Sequence, residues 1–258
     1  MVKAMTTTKT FDEVLSKVPE VTLLFWIIKI AATTLGETAG DALSMSLNLG
    51  YAVSTGIFAV IFAFFVAAQI KSKQYSPFFY WATIIATTTL GTTIADYVDR
   101  TLGVGYLGGS LILLGLLLAS LFTWYRSSGS ISVNNIQSAK SEAFYWLTIM
   151  FSQTLGTALG DWTADTQGLG YTSAAMIFGG LLLLLTFLHV WTEVSKTFLF
   201  WGAFVLTRPL GAVLGDFLDK PISHGGLELS RFGASFVLLA FIIICLVVFK
   251  PKAAKVAH

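Results

Sequence analysis

Leu35-Gly36-Glu37-Thr38-Ala39-Gly40-Asp41 is written four times in this chain. The other copies are Leu90-Gly91-Thr92-Thr93-Ile94-Ala95-Asp96, Leu155-Gly156-Thr157-Ala158-Leu159-Gly160-Asp161 and Leu210-Gly211-Ala212-Val213-Leu214-Gly215-Asp216. A tryptophan (Trp26, Trp81, Trp146, Trp201) stands fifteen residues before each aspartate. Ten residues after it comes Tyr51, Tyr106, Tyr171 or, in the fourth copy, Gly226. Spacing kept four times marks an internal repeat, with offsets of 55, 65 and 55 residues.

The 258 residues are 55% hydrophobic and 12% charged, and the mean hydropathy is +0.76. That composition is that of an integral membrane protein. Cys245 is the one cysteine and sits in an apolar run, which excludes disulfides and thiolate metal sites. A net charge of +2 without a basic cluster gives no reason to expect nucleic acid as a partner. Residues 1–20 carry Lys3, Lys9, Lys17, Asp12, Glu13 and Glu20 and lack the basic-then-apolar order of a signal peptide. They read as a cytoplasmic tail or an interfacial helix.

At about twenty apolar residues per span, the chain predicts eight helices: 21–43, 50–70, 78–98, 104–125, 142–163, 171–191, 197–219 and 229–249. The expected fold is an all-α membrane protein of four parallel helical-hairpin repeats, pseudo-fourfold or two-plus-two. The polar stretch 127–141 would join membrane half 21–126 to membrane half 142–249, leaving 250–258 as a C-terminal tail. Lys71, Lys73, Arg126, Lys140, Lys196, Lys250, Lys252 and Lys255 fall on the side of the N-terminal lysines, against Arg100, Lys220 and Arg231 opposite. The positive-inside rule then puts both termini in the cytoplasm.

Residues four apart share a helix face. Counting back from each aspartate gives the stripes Lys29-Thr33-Glu37-Asp41, Thr88-Thr92-Asp96, Gln153-Thr157-Asp161 and Arg208-Ala212-Asp216. A carboxylate facing lipid is costly, so the stripes must face protein or water. The small pairs one position earlier, such as Gly36/Gly40 and Gly211/Gly215, permit close helix approach, so packing and polar faces coincide. Five acids (Glu37, Asp41, Asp96, Asp161, Asp216) against Lys29 and Arg208 leave a surplus of negative charge. Oxygen ligands of this kind suit Mn²⁺, Ca²⁺ or Mg²⁺. Arg208 is an expected internal counter-ion for Asp216 or Glu37, and Pro209 an expected kink. The glycines beside Asp41, Asp161 and Asp216 are expected to let the helices end or unwind there, freeing carbonyl oxygens as ligands.

Other readings compete at each position. The aspartates also fit helix caps, and Lys29 also fits a side chain snorkelling to the interface. The tryptophans and the Gly-Tyr tyrosines fit interfacial anchors and turn formers. Asp99, Asp165 and Asp219 fit solvated loop positions.

The Leu-Gly-x-x-x-Gly/Ala-Asp repeats behind an aromatic helix start resemble a bacterial family of uncharacterised polytopic membrane-anchored proteins, along nearly the whole chain. More locally, Glu37-Thr38-Ala39-Gly40-Asp41 is similar, with one inserted residue, to the Glu-x-Gly-Asp signature of cation/proton exchangers for manganese and calcium. That resemblance implies Mn²⁺ first and Ca²⁺ or Mg²⁺ after it. The resulting expectation is a proton-coupled secondary transporter of a divalent cation in a bacterial inner membrane, with no bound cofactor and no enzyme activity. Its metal ligands would be Glu37, Asp41, Asp96, Asp161 and Asp216, supported by Thr33, Thr88, Thr92, Gln153, Thr157, Arg208 and Lys29. The alternatives are a passive cation channel and a non-transporting scaffold whose Gly/Asp motifs only pack and cap helices. Oligomeric state stays open.

Overall fold

The computed structural model describes residues 15–72, 74–133, 136 and 138–255. Eight helices carry the chain: α1 (Leu23–Asp41), α2 (Gly50–Lys71), α3 (Pro77–Asp96), α4 (Tyr106–Ser128), α5 (Ala139–Asp161), α6 (Gly170–Trp191), α7 (Lys196–Asp219) and α8 (Arg231–Phe249). The motif helices α1, α3, α5 and α7 start on Thr22, Ser76, Ser138 and Ser195, whose hydroxyls accept backbone N–H groups of the first turn. Gly50, Gly105 and Gly170 take φ of +71° to +77° where the chain turns into α2, α4 and α6. A side chain would strain that backbone, which accounts for the glycine of each Gly-Tyr pair.

After the aspartate, the first and third copies do not end or unwind at their glycines as expected, and the second, with Ala95 in that place, behaves as they do. All three stay helical and widen into a single π-helical turn, at Ala42–Ser46, Tyr97–Thr101 and Trp162–Thr166. In the fourth copy α7 stops at Asp219 and Lys220 is extended (ψ 156°). Pro221 follows, and the residue before a proline is driven out of the helical region.

The motif helices form a closed ring: α1 packs on α3, α3 on α5, α5 on α7 and α7 on α1. They run parallel, because the aromatics at their N-terminal ends meet one another and so do the aspartates at their C-terminal ends. The hairpin expectation needs correction here. Each even helix packs chiefly on the motif helix of the next copy, α2 on α3, α4 on α5, α6 on α7, and α8 back on α1. The repeats therefore interlock around a pseudo-fourfold axis.

Among the described residues, six helices are long and apolar enough to cross a membrane; α3 and α5 fall outside that set. The reason is position: α3 and α5 are lined with buried threonines such as Thr83, Thr87, Thr88, Thr148 and Thr154. The even helices turn large apolar side chains outward, among them Phe64, Leu111, Phe122, Leu183, Phe236 and Val247, as a face toward lipid requires.

Residues 15–19 form a strand, β1 (Leu15–Pro19), paired antiparallel with β2 (Ala253–Lys255). This replaces the expected interfacial helix for the described part of the tail; Lys3, Lys9, Asp12, Glu13 and also Lys73 lie outside the described residues. The strand pair puts the two described ends on one face. Lys17 ties that face together, donating to the Ile70 carbonyl (3.0 Å) at the end of α2 and to Glu142 (2.8 Å) on α5.

Candidate functional site

The glycines of the motif set the geometry of the ring. A Cβ on Gly91 would lie 3.1 Å from the Gln153 Cβ and 2.9 Å from the Thr154 nitrogen, and one on Gly215 would lie 2.6 Å from the Glu37 Cβ. Gly36 faces Thr88, Gly156 faces Arg208 and Gly211 faces Thr33 in the same way. Each stripe thus seats on the glycines of the preceding copy, cyclically. This is why the small residues stand one position before the polar ones.

Side chains at equivalent positions then stack in layers along the axis. At the N-terminal end lies a closed girdle of eight aromatics in which each tryptophan meets the aromatic of the preceding copy: Trp81 on Phe25, Trp146 on Tyr80, Trp201 on Tyr145 and Trp26 on Phe200. Ring centroids at these junctions are 5.5 to 6.2 Å apart. Trp81, Trp146 and Trp201 are buried in the core, which corrects their reading as interfacial anchors. The next layer is Lys29, Ile84, Ile149 and Phe204, all fully buried. Lys29 does not snorkel. Its ammonium lies 4.2 Å from the centroid of the Phe204 ring and has no hydrogen-bond partner among the described residues.

Above Lys29 come Thr33, Thr88, Gln153 and Arg208, and above them Glu37, Thr92, Thr157 and Ala212. Arg208 rises from its layer to the axis. Its Nη2, with two hydrogens to share, lies within hydrogen-bond distance of Glu37 Oε2 (2.8 Å), Thr92 Oγ1 (2.6 Å) and Thr157 Oγ1 (2.5 Å), so one guanidinium touches all three other motif helices. Of its two expected partners, Glu37 is the one paired. α7 continues through Pro209 as a helix, with the Thr207 carbonyl accepting Thr33 Oγ1 at 3.2 Å. Thr88 Oγ1 and both polar atoms of Gln153 are buried without partners.

The four aspartates form the last buried layer, and they do not share one centre. Arg100 joins Asp96 (2.8 Å) to Asp161 (3.2 Å) across α3 and α5. Lys220 joins Asp216 (2.9 Å) to Asp41 across α7 and α1. Arg100 and Lys220 each stand four residues after the motif aspartate, in the second and fourth copies, where the first and third have Met45 and Asp165. The layer is therefore twofold within a fourfold ring. Burial alone would lower the Lys220 pKa, but Asp216, Asp41 and Asp219 outweigh it and hold the ammonium above its ordinary value.

Asp219 is buried as well and pairs with Arg231 at 2.7 Å, while Asp99 is buried against Gly109; only Asp165 of the three supposed loop aspartates is exposed. Arg100, Lys220, Asp219 and Arg231 are the residues that stripe counting missed. The signal for the first two was present as a further step of four along the same stripes.

Glu37, Asp41 and Asp216 remain the densest acidic group, each offering a carboxylate oxygen within 4.8 Å of the others. Such a buried set can chelate a cation. Asp96 and Asp161 lie on the other side of the layer, with Arg100.

The family described as Repeat of Unknown Function (DUF347) matches residues 24–75, 79–130, 144–195 and 199–250. The chain belongs to this family. Each DUF347 repeat covers one motif helix, its turn and the following even helix, so the family unit and the interlocking structural unit differ by one helix. No curated protein and no solved structure matches the chain.

Proposed function

We propose that the protein is a secondary transporter of a divalent metal cation, Mn²⁺ first, and that it works by proton exchange in a bacterial inner membrane with both termini cytoplasmic. The observation that carries this reading is the group of Glu37, Asp41 and Asp216, three buried carboxylates within 4.8 Å at the C-terminal ends of parallel membrane helices. Hard oxygen ligands of net negative charge favour Mn²⁺, Mg²⁺ or Ca²⁺ over soft metals. Arg208 occupies the axis and is wholly shut from solvent, which supports alternating access over a passive channel. The aromatic girdle closes the opposite end.

The test is Mn²⁺ flux into proteoliposomes under an imposed pH gradient, with Ca²⁺ and Mg²⁺ as competitors and an Asp41→Asn Asp216→Asn double variant as control. Saturable, gradient-driven flux that the double variant loses supports the reading. A non-transporting scaffold is the second reading, favoured by the pairing of every motif aspartate with Arg100 or Lys220. Absence of flux for every divalent cation, together with loss of thermal stability in the double variant, would select it.

A further inference from the structure

Arg100 and Lys220 are equivalent in sequence and in place, yet they are held differently. Arg100 sits inside a π-helical turn, and besides its two aspartates it donates to Tyr106 Oη (2.7 Å) and Tyr51 Oη (3.4 Å). Those are the tyrosines of its own copy and of the preceding one. A guanidinium with fixed, planar donors and two phenol partners is a rigid clamp.

Lys220 has lost that support. The tyrosine of its own copy is replaced by Gly226, where a Cβ would run into the Lys220 backbone. The glycine lets the loop fold back, so that the Lys220 carbonyl accepts the Glu228 amide at 2.9 Å. Among the described residues, the Lys220 ammonium is held by carboxylates alone: Asp41, Asp216 at 2.9 Å and Asp219 at 3.9 Å. Its flexible stem lies at the helix end, 12% exposed, between solvent and two aspartates that are 1–2% exposed. Asp41 Oδ1 is buried and, among the described residues, has no hydrogen-bond partner. Glu37 lies beside the same two aspartates, and no equivalent glutamate stands beside Asp96 and Asp161.

We propose that Lys220 is a tethered, exchangeable cation: its ammonium fills the Asp41/Asp216 site until a divalent cation displaces it, while Arg100 is a fixed clamp on the Asp96/Asp161 pair. This rests on the cation-transport reading and names which of the two aspartate pairs takes the metal. Displacement moves a like charge out of the site as the metal moves in, so the buried carboxylates are never left without a counter-charge. That avoids the several kcal/mol that an uncompensated buried ion costs. The first cation ligands are Asp41 and Asp216, with Glu37 behind them.

The experiment is Mn²⁺ binding to the purified full-length protein, read from free Mn²⁺ by electron paramagnetic resonance, alongside proteoliposome flux. Lys220→Gln and Lys220→Met are expected to bind Mn²⁺ at least about tenfold more tightly than the parent, since the competitor is gone; a factor of ten corresponds to about 1.4 kcal/mol. Arg100→Gln should leave Mn²⁺ affinity within about twofold, and Asp41→Asn Asp216→Asn should abolish binding. Lys220→Cys gives a variant with the same gain in affinity, and aminoethylation of its thiol, which restores an ammonium, should reverse it. Unchanged or weaker Mn²⁺ binding in all three Lys220 variants, in a parent that transports Mn²⁺, overturns the proposal and leaves the transport reading standing. An equal gain in Arg100→Gln overturns the distinction between clamp and exchangeable group. If neither parent nor variants bind or transport Mn²⁺, Ca²⁺ or Mg²⁺, the transport reading falls and this proposal with it.

Discussion

Arg208 and Lys29 are both buried cations on the stripes, and opposite consequences follow from their surroundings. Arg208 pairs through Nη2 with Glu37, Thr92 and Thr157, while its Nε is without a partner among the described residues, so removing it strands a carboxylate in the core. Arg208→Ala is expected to cost about 3–5 kcal/mol, seen as a large drop in thermal midpoint in detergent. A paired Arg208→Met Glu37→Met variant should lose much less, because no charge is left uncompensated; equal losses would show that the ion pair is not what Arg208 contributes. Lys29 Nζ has no hydrogen-bond partner among the described residues. Lys29→Met, which keeps the volume and removes an unsatisfied group worth about 1–3 kcal/mol, is expected to raise the thermal midpoint. A fall instead would mean that the contact with Phe204 outweighs the missing hydrogen bonds. Step-of-four counting made the candidate site legible as far as Arg208 and the carboxylates. It stops short at Arg100 and Lys220, one further step of four beyond Asp96 and Asp216, so the charge surplus it gives is too large.

At the scale of elements, hydrophobic length made the helix positions readable to within a few residues, and the Ser/Thr caps emerged only with the structure. Periodicity says which face of a helix is buried and not what covers it, so the partner of each even helix could not be read. The glycines were readable as packing residues, but their partners, the stripes of the following copy, needed the ring. Their test is steric. Gly36→Ala, Gly156→Ala and Gly211→Ala push a methyl into Thr88, Arg208 and Thr33. Each should destabilise by about 1–3 kcal/mol, as overpacking does. Gly115 on α4 and Gly179 on α6 have nothing within 4 Å of an added Cβ, and alanine there should stabilise by about 0.5–1 kcal/mol through helix propensity. Thermal melts of the five variants separate the classes, and a neutral Gly211→Ala would show that the α1/α7 contact yields more readily than its geometry implies. The tryptophan girdle follows the same logic: Trp146 at its junction with Tyr80 is core, and Trp146→Ala should cost about 3–5 kcal/mol.

For the whole molecule, the interlocked ring changes what counts as a unit. The longer connection between the second and third copies divides the sequence into two membrane halves. Yet α4, from the first half, packs on α5 of the second, and α8, from the second, packs on α1 of the first. The ring has four similar junctions, and the covalent break between the ends falls at one of them, on the face where β1 and β2 pair. The loop between α4 and α5 crosses the equivalent junction on that same face, with Ser16 donating to the Val133 carbonyl at 3.0 Å. If the junctions are equivalent, the chain can begin at either one. A circular permutant with its present ends joined and new ends opened at Gly129–Ser130 should therefore fold, because surface breaks that cut few contacts are tolerated. The expected result is a monodisperse protein in detergent whose thermal midpoint lies within about 5 °C of the parent, a difference of about 1–2 kcal/mol for a chain of this size. Aggregation of the permutant, with a permutant opened in the α6–α7 loop folding normally, would locate the special junction at α4–α5 and return the two-halves arrangement to first place. Folding of both would leave the closed ring as the cooperative unit, so any alternating access would have to come from local rearrangement at Lys220, Arg208 and the girdle.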